Sequence, residues 1–93
     1  MENKYPELKV AGTTLPSKLG GAIVKYLNEV PKLSLLAMGD KAVSQTIKGV
    51  IMAQTFLASS ALDFNIKMGF KINKDEKSDR DVTVIAFYIT RNW

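Results

Sequence analysis

Residues 33–56, LSLLAMGDKAVSQTIKGVIMAQTF, decide how the rest of the chain is read. Leu33 to Met38 is a short continuous apolar run, the pattern of a strand covered by neighbours on both sides. Gly39 lets the chain turn without a Cβ clash. Asp40 is placed to accept from the exposed amides of a first helical turn and to complement their positive end. From Lys41 onward Val43, Ile47, Val50, Ile51 and Phe56 recur at helical steps, which predicts a long helix with that apolar stripe. Lys41, Gln45 and Lys48 share another face.

Working outward, Leu8 to Ala11 predicts a short strand after a polar leader, residues 1–7. Thr14 is a plausible N-cap, with Pro16 inside the first turn, where its missing N–H costs nothing. The helix it opens runs to Asn28 or Glu29, with Leu19, Ile23, Tyr26, Leu27 and Val30 as its stripe and Lys18 and Lys25 on the wet side. Gly20 and Gly21 sit inside it at a propensity cost of about 1 kcal/mol each, which implies close packing on the sheet or the second helix. Beyond the long helix, Asp63 to Asn73 alternates: Phe64, Ile66, Met68, Phe70 and Ile72 point to a buried face. Lys74 to Asp81 reads as a charged hairpin loop. Val82 to Thr90 is apolar on both faces, with Val84, Ala86 and Tyr88 on one side and Ile85, Phe87 and Ile89 on the other. Such a strand is central, or its second face is an interface.

The order is therefore β-α-β-α-β-β in one α+β domain. Right-handed crossovers place both helices on one face of a mixed four-stranded sheet. With the fourth strand central, the sheet order is 1-2-4-3, that strand antiparallel. One helical layer leaves the other sheet face open, and apolar residues there argue for a homodimer or another cover.

Composition narrows the function. The 93 residues carry a net charge of +4, from 13 basic and 9 acidic side chains, which permits a polyanionic partner without demanding one. There is no cysteine and no histidine, so disulfides, thiolate metal sites and the commonest general base are all missing. GDKAVSQTIKG lacks the Gly-Lys-Ser/Thr ending of a phosphate loop, and Asp40 with Lys41, or Asp63 with Asn65, forms no recognisable triad or metal cluster. A non-enzyme without metal or cofactor is expected. The uncharged stretch Gly49 to Leu62 is too short and polar to span a bilayer, and MENKYPELK has no apolar signal region. A cytoplasmic protein is the resulting expectation.

KVAGTTLPSKLGGAIVKYL and AMGDKAVSQTIKGVIMAQTF together resemble the stage V sporulation protein S family. Lys9, Val10, Pro16, Gly21 and Ala22 match the first part of its pattern. Ala37, Gly39, Ala42, Val43, Gln45, Ile47, Lys48, Val50, Ala53 and Phe56 match the second, without a gap from Lys9 to Phe56. The resemblance implies a small cytoplasmic bacterial regulator of sporulation and cell division on an Alba-like fold, with nucleic-acid binding and dimers. It departs from the pattern at Ser44, in place of asparagine; at Gln54, in place of arginine; at Thr13, in place of a basic residue; and at Met68-Gly69-Phe70, where the pattern has P-x-F.

On this footing Lys41, Gln45 and Lys48 are candidates to track a DNA or RNA backbone, Lys48 foremost because it matches the family's lysine. The competing reading is an ordinary solvated helix face. Lys18 can add to the same surface, and Lys71 with Lys67 can extend it from the third strand. The Gly39 corner could hold an anion beside Lys41, but Asp40 already occupies its positive end, and an ordinary capped helix is the commoner meaning. The loop 74–81 has three basic and four acidic residues, the wrong sign for a DNA arm, so a solvated hairpin tip is favoured. Tyr88 and Phe87 could stack bases, but strand aromatics are more often core or interface; with Trp93 they are expected at the dimer contact. A protein–protein adaptor on the same fold is the alternative.

Overall fold

The computed structural model describes residues 5–75 and 80–93. In chain order it contains β1 (Glu7–Val10), α1 (Pro16–Glu29), β2 (Lys32–Ala37), α2 (Asp40–Ala58), β3 (Phe64–Asp75) and β4 (Arg80–Arg91). They form one sheet in the order β1-β2-β4-β3. β1 runs parallel to β2, and β4 is antiparallel to both of its neighbours. The architecture is the one the hydrophobic pattern predicts. The segment 74–81 differs: the ladder continues through the rungs Lys74↔Asp81 and Asp75↔Arg80. Lys74 opposite Asp81 is an opposite-charge rung of the kind that favours pairing. Residues 76–79 lie outside the described part of the hairpin, and residues 1–4 outside the described part of the leader.

The core lies between the sheet and the helices. Leu33 and Leu35 of β2 and Phe87 and Ile89 of β4 meet Leu19, Ile23 and Leu27 of α1 and Ala53 and Leu57 of α2. The helix pair sets which side of α2 is buried. A Cβ on Gly20 would stand 2.7 Å from the Met52 Cβ and 3.1 Å from both the Ala53 nitrogen and the Gly49 oxygen. A Cβ on Gly49 would stand 2.5 Å from Leu19 Cδ2. Such close approach suits only a small-residue stripe, and α2 buries Ala42, Thr46, Gly49, Val50, Ala53 and Leu57. Thr46 is buried because its hydroxyl donates to the Ala42 carbonyl at 2.8 Å. The expected stripe is thereby corrected: Ile47, Ile51 and Phe56 remain 48%, 54% and 44% exposed.

The third strand needs a similar correction. Phe64 is buried and Ile66 half-buried, but Met68, Phe70 and Ile72 are exposed on the helix side. β3 is the sheet edge, and the backbone contacts of α2 with the sheet go chiefly to β1 and β2, so nothing covers the far half of β3.

The caps also differ from expectation. Gly39, at φ 90°, precedes the helix and needs to be glycine, while Asp40 is the first helical residue and makes no capping hydrogen bond. Thr14 does not cap α1, which follows Leu15; its hydroxyl accepts from the Ala11 N–H at 2.9 Å and closes the turn after β1.

On the opposite, outer face of the sheet, Leu36, Val84 and Ala86 are buried without a second layer. An ion pair between Lys71 of β3 and Glu7 of β1 explains how. These strands are the two sheet edges, about 14 Å apart in a flat sheet, so the outer face must curl into a trough for their side chains to meet. Of the apolar residues that the sequence suggests are open on this face, Val84 and Ala86 are thus already buried, while Tyr88 stays 40% exposed.

Candidate nucleic-acid interface

The first two turns of α2 meet the β1–α1 turn. Gln45 donates from Nε2 to the Thr14 carbonyl at 2.8 Å, and a Cβ on Gly12 would stand 2.8 Å from the Lys41 Cβ. Lys41, Gln45 and Lys48 line the side of α2 that borders this junction. Lys18 and Lys48 each immediately precede a residue of the Leu19–Gly49 contact between α1 and α2. Lys18, Lys41 and Lys48 are exposed, and none has an ion-pair partner among the described residues. Gln45 differs: it is half-buried, and its amide N–H is engaged in holding the turn. Gln45 thus has a positioning role at the turn, and Lys41 and Lys48 share its side of α2.

Lys71 does not join them. Its rung partner is Val84, on the outer face, and its ammonium bonds Glu7. That hydrogen bond is the main reason the Lys71 ammonium holds its proton above the ordinary lysine range; partial burial opposes it. The pair's contribution is accordingly full below the ordinary lysine titration and fades as pH rises through the raised one. At this exposure the contribution is small. Lys67, opposite Tyr88, is on the same outer face.

The three residues expected at a dimer contact are divided by the sheet. Phe87 is 3% exposed, packed in the helix-side core, and Tyr88 points to the outer face. Trp93 lies against its own chain: the Arg91 guanidinium is 5.8 Å from the ring centroid and Nε donates to the Trp93 carbonyl. Arg91 also donates from Nη1 to the Leu27 carbonyl at 2.7 Å, near the α1 C-terminus.

The exposed apolar residues that do converge are on the helix side. Ile47, Ile51 and Gln54 of α2 share a hollow of about 210 Å³ with Ile66 and Met68 of β3. A second hollow, of about 420 Å³, adjoins it at Ile47 and is bordered by Ser44, Lys48 and Ile85. A third joins Met68, Phe70 and Ile85. The α2 pattern held the signal for this surface: Ala42, Thr46, Gly49 and Ala53 form a second, smaller stripe, and a helix with two apolar stripes has one to spare. No group of metal-ligating side chains occurs among the described residues, and no helix there is long and apolar enough to cross a membrane.

Residues 6–92 match the family described as stage V sporulation protein S (SpoVS). The chain belongs to this family. Among solved structures, it is similar to Alba from Thermoplasma volcanium, with a TM-score of 0.58 and 16% sequence identity over 91% of this chain and 99% of that one. At that identity the likeness speaks for the fold, which is Alba-like. A SpoVS-family chain on this fold is a small regulatory protein. Two departures from the resemblance fall in separable places. Ser44 borders the hollow that includes Lys48, while Gln54 lies in the apolar hollow with Ile51 and Met68. The change at Gln54 therefore bears on the apolar face rather than on the lysine line.

Proposed function

We propose that this SpoVS-family protein is a regulatory homodimer that binds the backbone of DNA or RNA without strong sequence preference. The observation that carries the reading is that Lys18 of α1 and Lys41 and Lys48 of the adjoining α2 are exposed and without ion-pair partners among the described residues. Lysines in that state supply salt-sensitive attraction to phosphates and little information about base identity. Gln45, on the same side of α2 as Lys41 and Lys48, ties that helix to the β1–α1 turn. The dimer is supported by the exposed Ile47, Ile51, Met68, Phe70 and Ile72, an apolar surface of the kind that marks an interaction site. Because Lys48 borders that surface, a second copy docked there brings a second lysine line beside the first.

Binding to a short duplex, measured at two salt concentrations, tests the reading. Affinity is expected to fall steeply with salt, and Lys48→Ala is expected to weaken binding and reduce the salt slope by about 1. A dimer that fails to bind DNA or RNA at low salt overturns it. The same apolar face would then favour the adaptor reading, in which the lysines border a protein contact.

A further inference from the structure

The outer face of the sheet is chemically unlike the helix side. Between the rung of Lys32, Thr90 and Asn65 and that of Lys71 and Val84, it carries Lys9, Lys32, Lys67 and Lys71. Glu7 is the lone carboxylate on those rungs. Leu36, Val84 and Ala86 form a sealed floor, from which Tyr88 stands out at 40% exposure. Lys67 is its direct rung partner. On β4 and β3 the neighbouring rung carries Ala86 and Gly69, and a Cβ on Gly69 would lie 3.9 Å from the Tyr88 ring. Gly69 therefore leaves the β3 side of the ring without a side chain at that rung. An exposed ring on a closed floor, flanked by cations with small residues beside it, suits a flat aromatic ligand carrying negative charge.

We propose that this face binds single-stranded nucleic acid, with one unpaired base stacked on Tyr88 and the adjoining phosphates held by Lys67 and Lys71. The proposal rests on the nucleic-acid reading for the ligand's class, but it places that ligand on the opposite face of the sheet from the α2 lysines. A single strand fits where a duplex does not, because stacking on a side chain needs a base face that pairing and stacking within a duplex conceal. The positive balance of the face complements a phosphate backbone. Glu7 acts as a competitor: its carboxylate holds Lys71, and an incoming phosphate takes that ammonium from it.

The test is fluorescence anisotropy with labelled single strands of DNA and of RNA, about 12 nucleotides long, and with the matching DNA duplex. Tyr88→Ala is expected to weaken single-strand binding by about tenfold and leave duplex binding unchanged. Tyr88→Phe, which keeps the ring, is expected to bind single strands as the parent does. Glu7→Gln is expected to tighten single-strand binding by freeing Lys71. Single-strand affinity unchanged in Tyr88→Ala, or weakened in Glu7→Gln, overturns the proposal. If Lys48→Ala still weakens the duplex in that case, the α2 reading stands alone. Binding to none of the oligonucleotides removes both. The two single-strand arms report whether a 2′-hydroxyl contributes.

Discussion

Gly20→Val and Gly21→Ala, one residue apart in α1, are expected to move stability in opposite directions. Gly20 faces α2, and a side chain there meets the Met52 Cβ at 2.7 Å and two backbone atoms, the Ala53 nitrogen and the Gly49 oxygen, at 3.1 Å. A flexible side chain could swing aside, but helix backbone cannot, so the helices must separate. Their separation loosens Leu19 and Ile23 on one helix and Val50 and Ala53 on the other, all of them core residues. Overpacking by a few methyl groups costs about 1–3 kcal/mol and more where backbone has to shift. The gain from replacing a helical glycine, at most about 1 kcal/mol, offsets only part of that. For a domain of this size each kcal/mol corresponds to roughly 4–8 °C in Tm, so Gly20→Val is expected to melt on the order of 10 °C or more below the parent. Gly21 is exposed, and a Cβ there would meet nothing within 4 Å. Gly21→Ala is expected to add about 0.5–1 kcal/mol through helix propensity and a less flexible unfolded chain. Thermal and denaturant unfolding of both variants checks the pair. Equal melting temperatures would mean that the α1–α2 contact is slack.

These adjacent glycines show where sequence reading reaches its limit. Two glycines inside a helix announce a close contact, and the contact exists, but periodicity does not say which glycine makes it. The same limit appears in α2. Its period of apolar residues is clear, yet Val43, Ile47 and Ile51 compete with Ala42, Thr46, Gly49 and Ala53 for the buried side. Size favours the first set as a core; the nearness of α1 selects the second. Strand order was legible because it follows from few facts: two crossovers, one hairpin and a last strand apolar on both faces. The alternation of β3 was legible too, but not where its cover ends. Whether a face is covered depends on which strands α2 approaches, and that is a tertiary quantity. For the site, the exposed lysines of α2 were legible as one face of a helix. The bond from Gln45 to Thr14 and the ion pair from Lys71 to Glu7 were not, since their partners are 31 and 64 residues apart in sequence.

The second large effect concerns the apolar face, and it separates two accounts of the proposed dimer. Phe70→Asp is expected to convert the protein to a monomer at concentrations where the parent sediments as a dimer. Phe70 is 80% exposed and packs into no core cluster, so the change should leave the fold and its melting behaviour close to the parent. In an isologous interface each substitution is counted twice. Removing a buried phenylalanine costs about 1.5–3 kcal/mol per copy, hence about 3–6 kcal/mol per dimer, or more than a hundredfold in dissociation constant before any charge is considered. Burying an aspartate on each side adds to that. Tyr88→Asp is the contrasting variant. The sequence places Tyr88 at the dimer contact; the structure sets it on the outer face, away from Phe70, so this variant is expected to remain dimeric. A dimer that survives Phe70→Asp and dissociates in Tyr88→Asp would return the interface to the outer face and displace a single strand from it. The monomer also carries a functional consequence. Lys48 borders the apolar face, so a dimer presents two lysine lines to one duplex, and their joint engagement exceeds either alone. Phe70→Asp is therefore expected to weaken duplex binding more than Lys48→Ala does, although it removes no cation.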